Sequence, residues 1–124
     1  MTDEPADLLY KILHESEWLE AAERGFYAGS GDDKRDGFIH LSAAGQVVGT
    51  AAKHFSGRSG LVLVALDAAR LGPGLKWEPS RGGALFPHLY GRLDTSAAVG
   101  VYGLELDADG VPASPEGVLE CSKD

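Results

Sequence analysis

The sequence predicts an α+β domain, with helices early and strands late. Three observations carry this. The first half reads β-α-β-α; strand candidates follow one another from Leu61 onward; and two peptides, Gly37-Phe38-Ile39-His40-Leu41-Ser42 and Phe86-Pro87-His88-Leu89-Tyr90-Gly91, alternate apolar and functional side chains. A regular α/β sheet would alternate strand and helix throughout. With 124 residues, 44% of them hydrophobic, the chain is long enough for one globular core.

The elements follow in order. Leu8 to Leu13 is a short apolar strand. A helix runs from about Ser16 to Arg24, with Ser16 as N-cap, Gly25 as stop, and Trp18, Leu19 and Ala22 as its apolar stripe. Ala28 to Asp36, rich in Gly, Asp, Lys and Arg, reads as a flexible exposed loop. The first motif strand comes next, and Ser42 caps a second helix from about Ala43 to Phe55. Leu61 to Asp67 is apolar on both faces, as a central strand should be. Leu75 to Glu78 is a short strand ended by Pro79, Arg81-Gly82-Gly83 is a turn, and Ala97 to Leu106 is the last long strand. Residues 1–106 form the expected domain, and 107–124 an acidic, loosely held C-terminal tail.

A net charge of −8 disfavours general binding to nucleic-acid backbones, though a local cationic pocket could still hold one nucleotide. No apolar run approaches the ~20 residues that span a membrane, and the acidic start, Asp3 and Glu4, is unlike a secretory signal. The single Cys121 has no partner for an internal disulfide. These points lead us to expect a cytoplasmic protein.

The two motif peptides carry the functional signal. Residues two apart on a strand share a face, so Phe38, His40 and Ser42 point one way, and Phe86, His88 and Tyr90 share a face on theirs. Side by side, such strands would floor a small-molecule pocket with polar groups and wall it with aromatics. His40 could serve as an acid, a base or a ribose ligand; equally, it could be a buried histidine bonded to a carbonyl. His88 and Tyr90 carry the same two readings. In Trp77-Glu78-Pro79-Ser80-Arg81-Gly82-Gly83, Glu78 could stabilise a cationic transition state or act as a base. Arg81 could reach a phosphate beside two glycines, or make a surface salt bridge in a turn. P-loop, Rossmann, CxxC, HExxH and GxSxG signatures are missing. His14, His40, His54 and His88 show no ligand spacing on one element, so no metal is expected.

Leu9-Tyr10-Lys11-Ile12, Trp18, the His40 peptide, Gln46, Asp67, Trp77-Glu78 and the His88 peptide together resemble the bacterial domain-of-unknown-function family 952, over about Leu8 to Leu106. The resemblance implies a fold like that of ADP-ribosyltransferases: two small antiparallel sheets packed together with flanking helices. The His40 strand is also similar to the His-x-His-Leu strand of tRNA 2′-phosphotransferases, which share that fold and consume NAD. His40 matches the second histidine, and Phe38 takes the place of the first. Where many ADP-ribosyltransferases carry a ribose-binding histidine after a tyrosine, this chain has Lys11 after Tyr10, and a phosphate contact is the role implied for it. Glu78 is the nearest match in type to their catalytic glutamate.

The reading that follows is a pocket for NAD or another ADP-ribose nucleotide, with ADP-ribosyl transfer or hydrolysis as its chemistry. His40, Glu78 and His88 are the catalytic candidates, and Lys11, Ser42, Arg81 and Tyr90 the ligand-binding ones. The alternatives are a non-catalytic nucleotide-binding module and, behind it, a metal-dependent hydrolase.

Overall fold

The computed structural model describes residues 8–80 and 83–115. In chain order it builds β1 (Leu8–His14), α1 (Glu15–Arg24), β2 (Phe26–Tyr27), α2 (Asp32–Asp36), β3 (Ile39–His40), β4 (Ser42–Ala43), α3 (Val47–His54) and β5 (Leu61–Asp67). It continues with β6 (Leu75–Pro79), β7 (Leu85–Leu89), β8 (Leu93–Asp94), β9 (Ala98–Gly103), β10 (Glu105–Leu106) and β11 (Pro112–Ala113). The fold is α+β, as expected, but the strands are shared among four antiparallel sheets rather than two. Their orders are β4-β1-β5-β9, β3-β7-β6, β2-β8 and β10-β11.

The four-stranded sheet separates two cores. Along β1, Leu9 and Leu13 pack on one side with Trp18, Tyr27 and Leu93, while Tyr10 and Ile12 pack on the other with Val47 and Ala51. β5 divides likewise, with Val62, Val64 and Leu66 against Leu61, Leu63 and Ala65. Both faces are covered, which is why β5 carries no polar alternation. Full burial of each large aliphatic side chain contributes about 1.5–3 kcal/mol.

Local chemistry sets the helix ends. α1 starts one residue before the expected Ser16, because the backbone N–H of His14 finds the Glu17 carboxylate at 3.4 Å. It stops where Gly25 turns left-handed at φ 94° and returns its N–H to the Ala21 carbonyl at 2.8 Å. Ser42 is not a helix cap. It lies in β4, and its hydroxyl is 3.3 Å from that of Thr50. Gln46 takes the capping role: its Oε1 accepts from Ala43 N at 2.9 Å, and its Nε2 donates to the Leu85 carbonyl at 2.8 Å. A 3-10 turn over Ala44–Gln46 therefore precedes α3.

Two expectations of looseness are corrected. The segment expected to be an exposed loop from Ala28 contains α2, whose Asp33 is 4% exposed. From Asp107 the chain first turns rather than drifting. The Asp107 carboxylate accepts from Asp109 N and Val111 N, Gly110 sits at φ 80°, and β11 pairs back on β10. Val111 packs against the core on the α3 side, and Pro112 is buried. Cys121 and the end of the tail lie outside the described residues.

Candidate functional site

The His40 peptide does not stay on one sheet. Ile39 and His40 pair with Leu89 and His88 of β7; two residues on, Ser42 and Ala43 pair with Tyr10 and Leu9 of β1. Leu41 bridges the step, its N–H bonded to the Pro87 carbonyl at 3.0 Å. β1 pairs with β5 along all seven of its residues but with β4 only at Leu9 and Tyr10. Beyond Tyr10 its outer edge is left without a strand partner among the described residues. A cavity of about 660 Å³ occupies that opening, walled by β1, α2, the His40 step and α3.

His40 and His88 face each other across the β3–β7 pair, ring centroids 5.7 Å apart, and both line the cavity. Each has a carboxylate on Nδ1: Asp33 Oδ1 at 2.7 Å for His40, and Glu78 Oε1 at 2.8 Å for His88. The second nitrogen of His40 meets Asp36 Oδ2 at 3.0 Å. Phe38 stacks on His88 at 4.0 Å and leans on His40 at 4.7 Å and on Tyr90 at 5.2 Å. His88 is 5% exposed.

Beneath His40 lies a buried charge network. Period two puts Lys11 on the same face of β1 as Leu9 and Leu13, towards the core. A buried ammonium needs a partner, and Asp33 arrives from α2, with its oxygens at 2.9 and 3.1 Å from Nζ. The Lys11 ammonium also donates to the His40 carbonyl at 3.1 Å. Asp33 further accepts the His40 N–H at 2.9 Å, the Ser30 N–H at 3.2 Å and the Tyr27 hydroxyl at 3.3 Å. Burial alone would raise the Asp33 carboxyl, but hydrogen bonds from His40 and the Lys11 charge hold it far below the usual carboxylate range. Burial pushes the Tyr27 hydroxyl well above its ordinary value, so it remains a donor.

Of the ligand-binding candidates, Lys11 and Ser42 line the cavity, as do the catalytic candidates His40 and His88. The Lys11 ammonium faces three acceptors of its own protein: both Asp33 oxygens and the His40 carbonyl. Glu78 and Tyr90 lie outside the lining: the Tyr90 hydroxyl donates to Glu78 Oε1 at 2.8 Å, and both stand behind His88. Hydrogen bonds from His88 and then Tyr90 lower the Glu78 carboxyl, and the same bond raises the Tyr90 hydroxyl. Arg81 lies outside the described residues. Asp33 and Asp36 escaped sequence reasoning. The signal for Asp33 was Lys11 itself, a charge in the middle of Leu9-Tyr10-Lys11-Ile12-Leu13 that demanded a carboxylate from elsewhere.

Among the described residues no cluster of three or more His, Cys, Asp and Glu side chains could hold a metal ion. None of their helices is long and apolar enough to cross a membrane.

Residues 12–101 match the family described as Protein of unknown function (DUF952). The chain belongs to that family. The match spans both motif peptides and the cavity lining except Tyr10 and Lys11, which precede it. The chain is also similar to solved structures of protein CC0527 from Caulobacter crescentus. Its crystal structure is 55% identical, with a TM-score of 0.82 over 86% of this chain and 93% of that one. Its solution NMR structure is 55% identical, with a TM-score of 0.76 over 85% of this chain and 90% of that one. No curated protein matches the chain.

Proposed function

We propose that the cavity binds a phosphate-bearing nucleotide of the ADP-ribose class, with NAD the leading ligand, and that His40 and His88 handle protons and ribose hydroxyls at its floor. The observation that carries this reading is the opposed His40–His88 pair, each ring oriented by its own carboxylate. A carboxylate on Nδ1 fixes ring orientation and tautomer, as an acid or base requires. His40 meets carboxylates at both nitrogens, and both contacts become hydrogen bonds only when both nitrogens carry hydrogen. A ligand hydroxyl reaches Nε2 by displacing Asp36, the more exposed of the two carboxylates. His88 has a carboxylate on Nδ1 alone, which suits a base acting through Nε2.

The choice of NAD rests on the sequence resemblance of the motif peptides to an ADP-ribosyltransferase-like family, an analogy rather than a property of this site. In the hydrolytic version, water attacks the ribose C1′ and the C1′–N bond breaks. Its electron pair leaves with nicotinamide, and His88 takes the proton from the attacking water. Glu78 acts through His88 as a positioning residue rather than at the ribose.

A non-catalytic nucleotide-binding module is the second reading. It is favoured by Lys11, which stands where a ribose-binding histidine is expected and is tied to Asp33. Calorimetry with NAD, ADP-ribose and AMP, followed by an assay for nicotinamide release, separates the readings. Saturable heat with release supports an enzyme. Heat without release over many hours supports the module. No heat at millimolar ligand removes the nucleotide proposal.

A further inference from the structure

We infer that Lys53 and Arg58 form an anion subsite at the α3 end of the cavity, which holds the phosphate portion of the ligand away from the two histidines. For the ligand's identity this rests on the nucleotide reading; the subsite itself does not.

The protein has 19 acidic side chains against 11 Lys and Arg, so a cation without a carboxylate neighbour is informative. Among the described residues, Lys11, Arg35, Lys53 and Arg58 are the Lys and Arg side chains lining the cavity. Lys11 is committed to Asp33, and Arg35 to Asp32 at 2.9 Å and Asp36 at 3.1 Å. Lys53 and Arg58 have no carboxylate within ion-pair distance among the described residues, although both are exposed to the cavity.

Arg58 is also held in place. Its backbone N–H returns to the Phe55 carbonyl at 3.0 Å, and its guanidinium lies 5.3 Å from the Phe55 ring. The same guanidinium reaches the His54 carbonyl at 3.5 Å and His14 Nε2 at 3.4 Å. None of these neighbours is anionic, so the charge remains available to a ligand. A planar guanidinium and a flexible ammonium lining one cavity are a combination suited to phosphate oxygens. The cavity is thereby polarised, with carboxylates of α2 at the His40 end and Lys53 and Arg58 at the α3 end; Glu17 of α1, which accepts from His14 N, is the other carboxylate in the lining. A ligand with an uncharged or cationic reactive group and a separate phosphate fits that polarity.

The rival role for these two cations is to complement the C-terminal dipole of α3. The test is an amide NMR titration with inorganic pyrophosphate at low salt, on the wild type, on Lys53→Ser/Arg58→Ser, on Arg58→Lys and on Arg70→Ser. Arg70 is a control cation paired with Asp67, outside the cavity. The subsite predicts saturable shifts at residues 53–58 and His14. It predicts a loss of about tenfold or more in the double variant, as expected for charge-assisted bonds to phosphate, with a smaller loss in Arg58→Lys. Arg70→Ser should bind like the wild type. Parallel titrations use ADP-ribose and adenosine. The double variant should lose affinity for ADP-ribose and keep whatever affinity the wild type has for adenosine. If pyrophosphate leaves the cavity resonances unmoved at millimolar concentration, or binds the double variant equally well, the subsite is overturned. Pyrophosphate binding without nucleotide binding would keep the subsite and remove the nucleotide reading.

Discussion

Asp33 Oδ1 accepts two hydrogen bonds from one residue: the backbone N–H of His40 at 2.9 Å and its ring Nδ1 at 2.7 Å. Main chain and side chain of His40 are thus fixed by one buried carboxylate, itself neutralised by Lys11. The candidate catalytic ring is positioned by a group 3% exposed, inside the fold rather than on its surface.

Removing one partner of this pair should be costly. Asp33→Ala leaves the Lys11 ammonium buried without a carboxylate and frees His40, and should cost about 3–5 kcal/mol in urea unfolding. Lys11→Met should also destabilise. The double variant Lys11→Met/Asp33→Asn should be more stable than the sum of the single changes implies, since no uncompensated charge remains. Additive single and double effects would show that the two groups do not depend on each other.

Acid should weaken the protein through the same group. The folded Asp33 carboxyl lies below its unfolded value of about 3.9, so it stays ionised in the native state where the unfolded chain already binds a proton. Its contribution is complete above about pH 5 and fades as pH falls through the ordinary carboxylate range towards the depressed native value. Glu78 shifts in the same direction. Melting temperatures between pH 7 and pH 3 should fall towards acid, with a shallower slope in Asp33→Asn. An equal slope in that variant would place the acid sensitivity elsewhere.

Gly74 should not tolerate a side chain. A Cβ there would run into the Tyr90 carbonyl oxygen, while the Tyr90 N–H donates to the Gly74 carbonyl at 2.9 Å. Gly74→Ala should cost about 1–3 kcal/mol, as overpacking does. By shifting Tyr90 it should also disturb the Tyr90–Glu78–His88 chain, visible as changed His88 ring resonances. A variant with wild-type stability and an unmoved His88 would show that β6 and β7 yield easily at this point.

Truncation separates two parts of the C-terminal segment. Ending the chain after Leu106 deletes Val111 and Pro112, which pack beside α3, and should cost about 1.5–3 kcal/mol, the worth of one buried aliphatic side chain. Ending it after Pro115 keeps both residues, so stability should be higher than after Leu106. Equal melting of the two truncations would mean that the hairpin contributes nothing.

Much of this architecture was legible in the sequence because its signals are local. The apolar run Leu61 to Asp67 could only be a covered central strand, and Gly25 stops α1 as its position suggested. The alternation in the two motif peptides brought His40 opposite His88 in direct register. The missing parts are non-local. The burial of Asp33 depends on Lys11, 22 residues away, and α2, at five residues, is too short for a periodic pattern to reveal. Period two put His40 and Ser42 on one strand face, but at Leu41 the chain crosses from one sheet to the other, which no local pattern announces. The Asp107-Ala108-Asp109-Gly110 turn was readable as turn chemistry, yet the acidic composition concealed it.

The proposed nucleotide site is the cavity between His40, His88 and α3. An amide NMR titration of the wild-type protein with ADP-ribose at low ionic strength tests it most directly. Saturable shifts are expected, centred on His40, Ser42, His88 and the α3 end and much reduced in His40→Ala. Shifts confined to another face, or none at millimolar ADP-ribose, would contradict it.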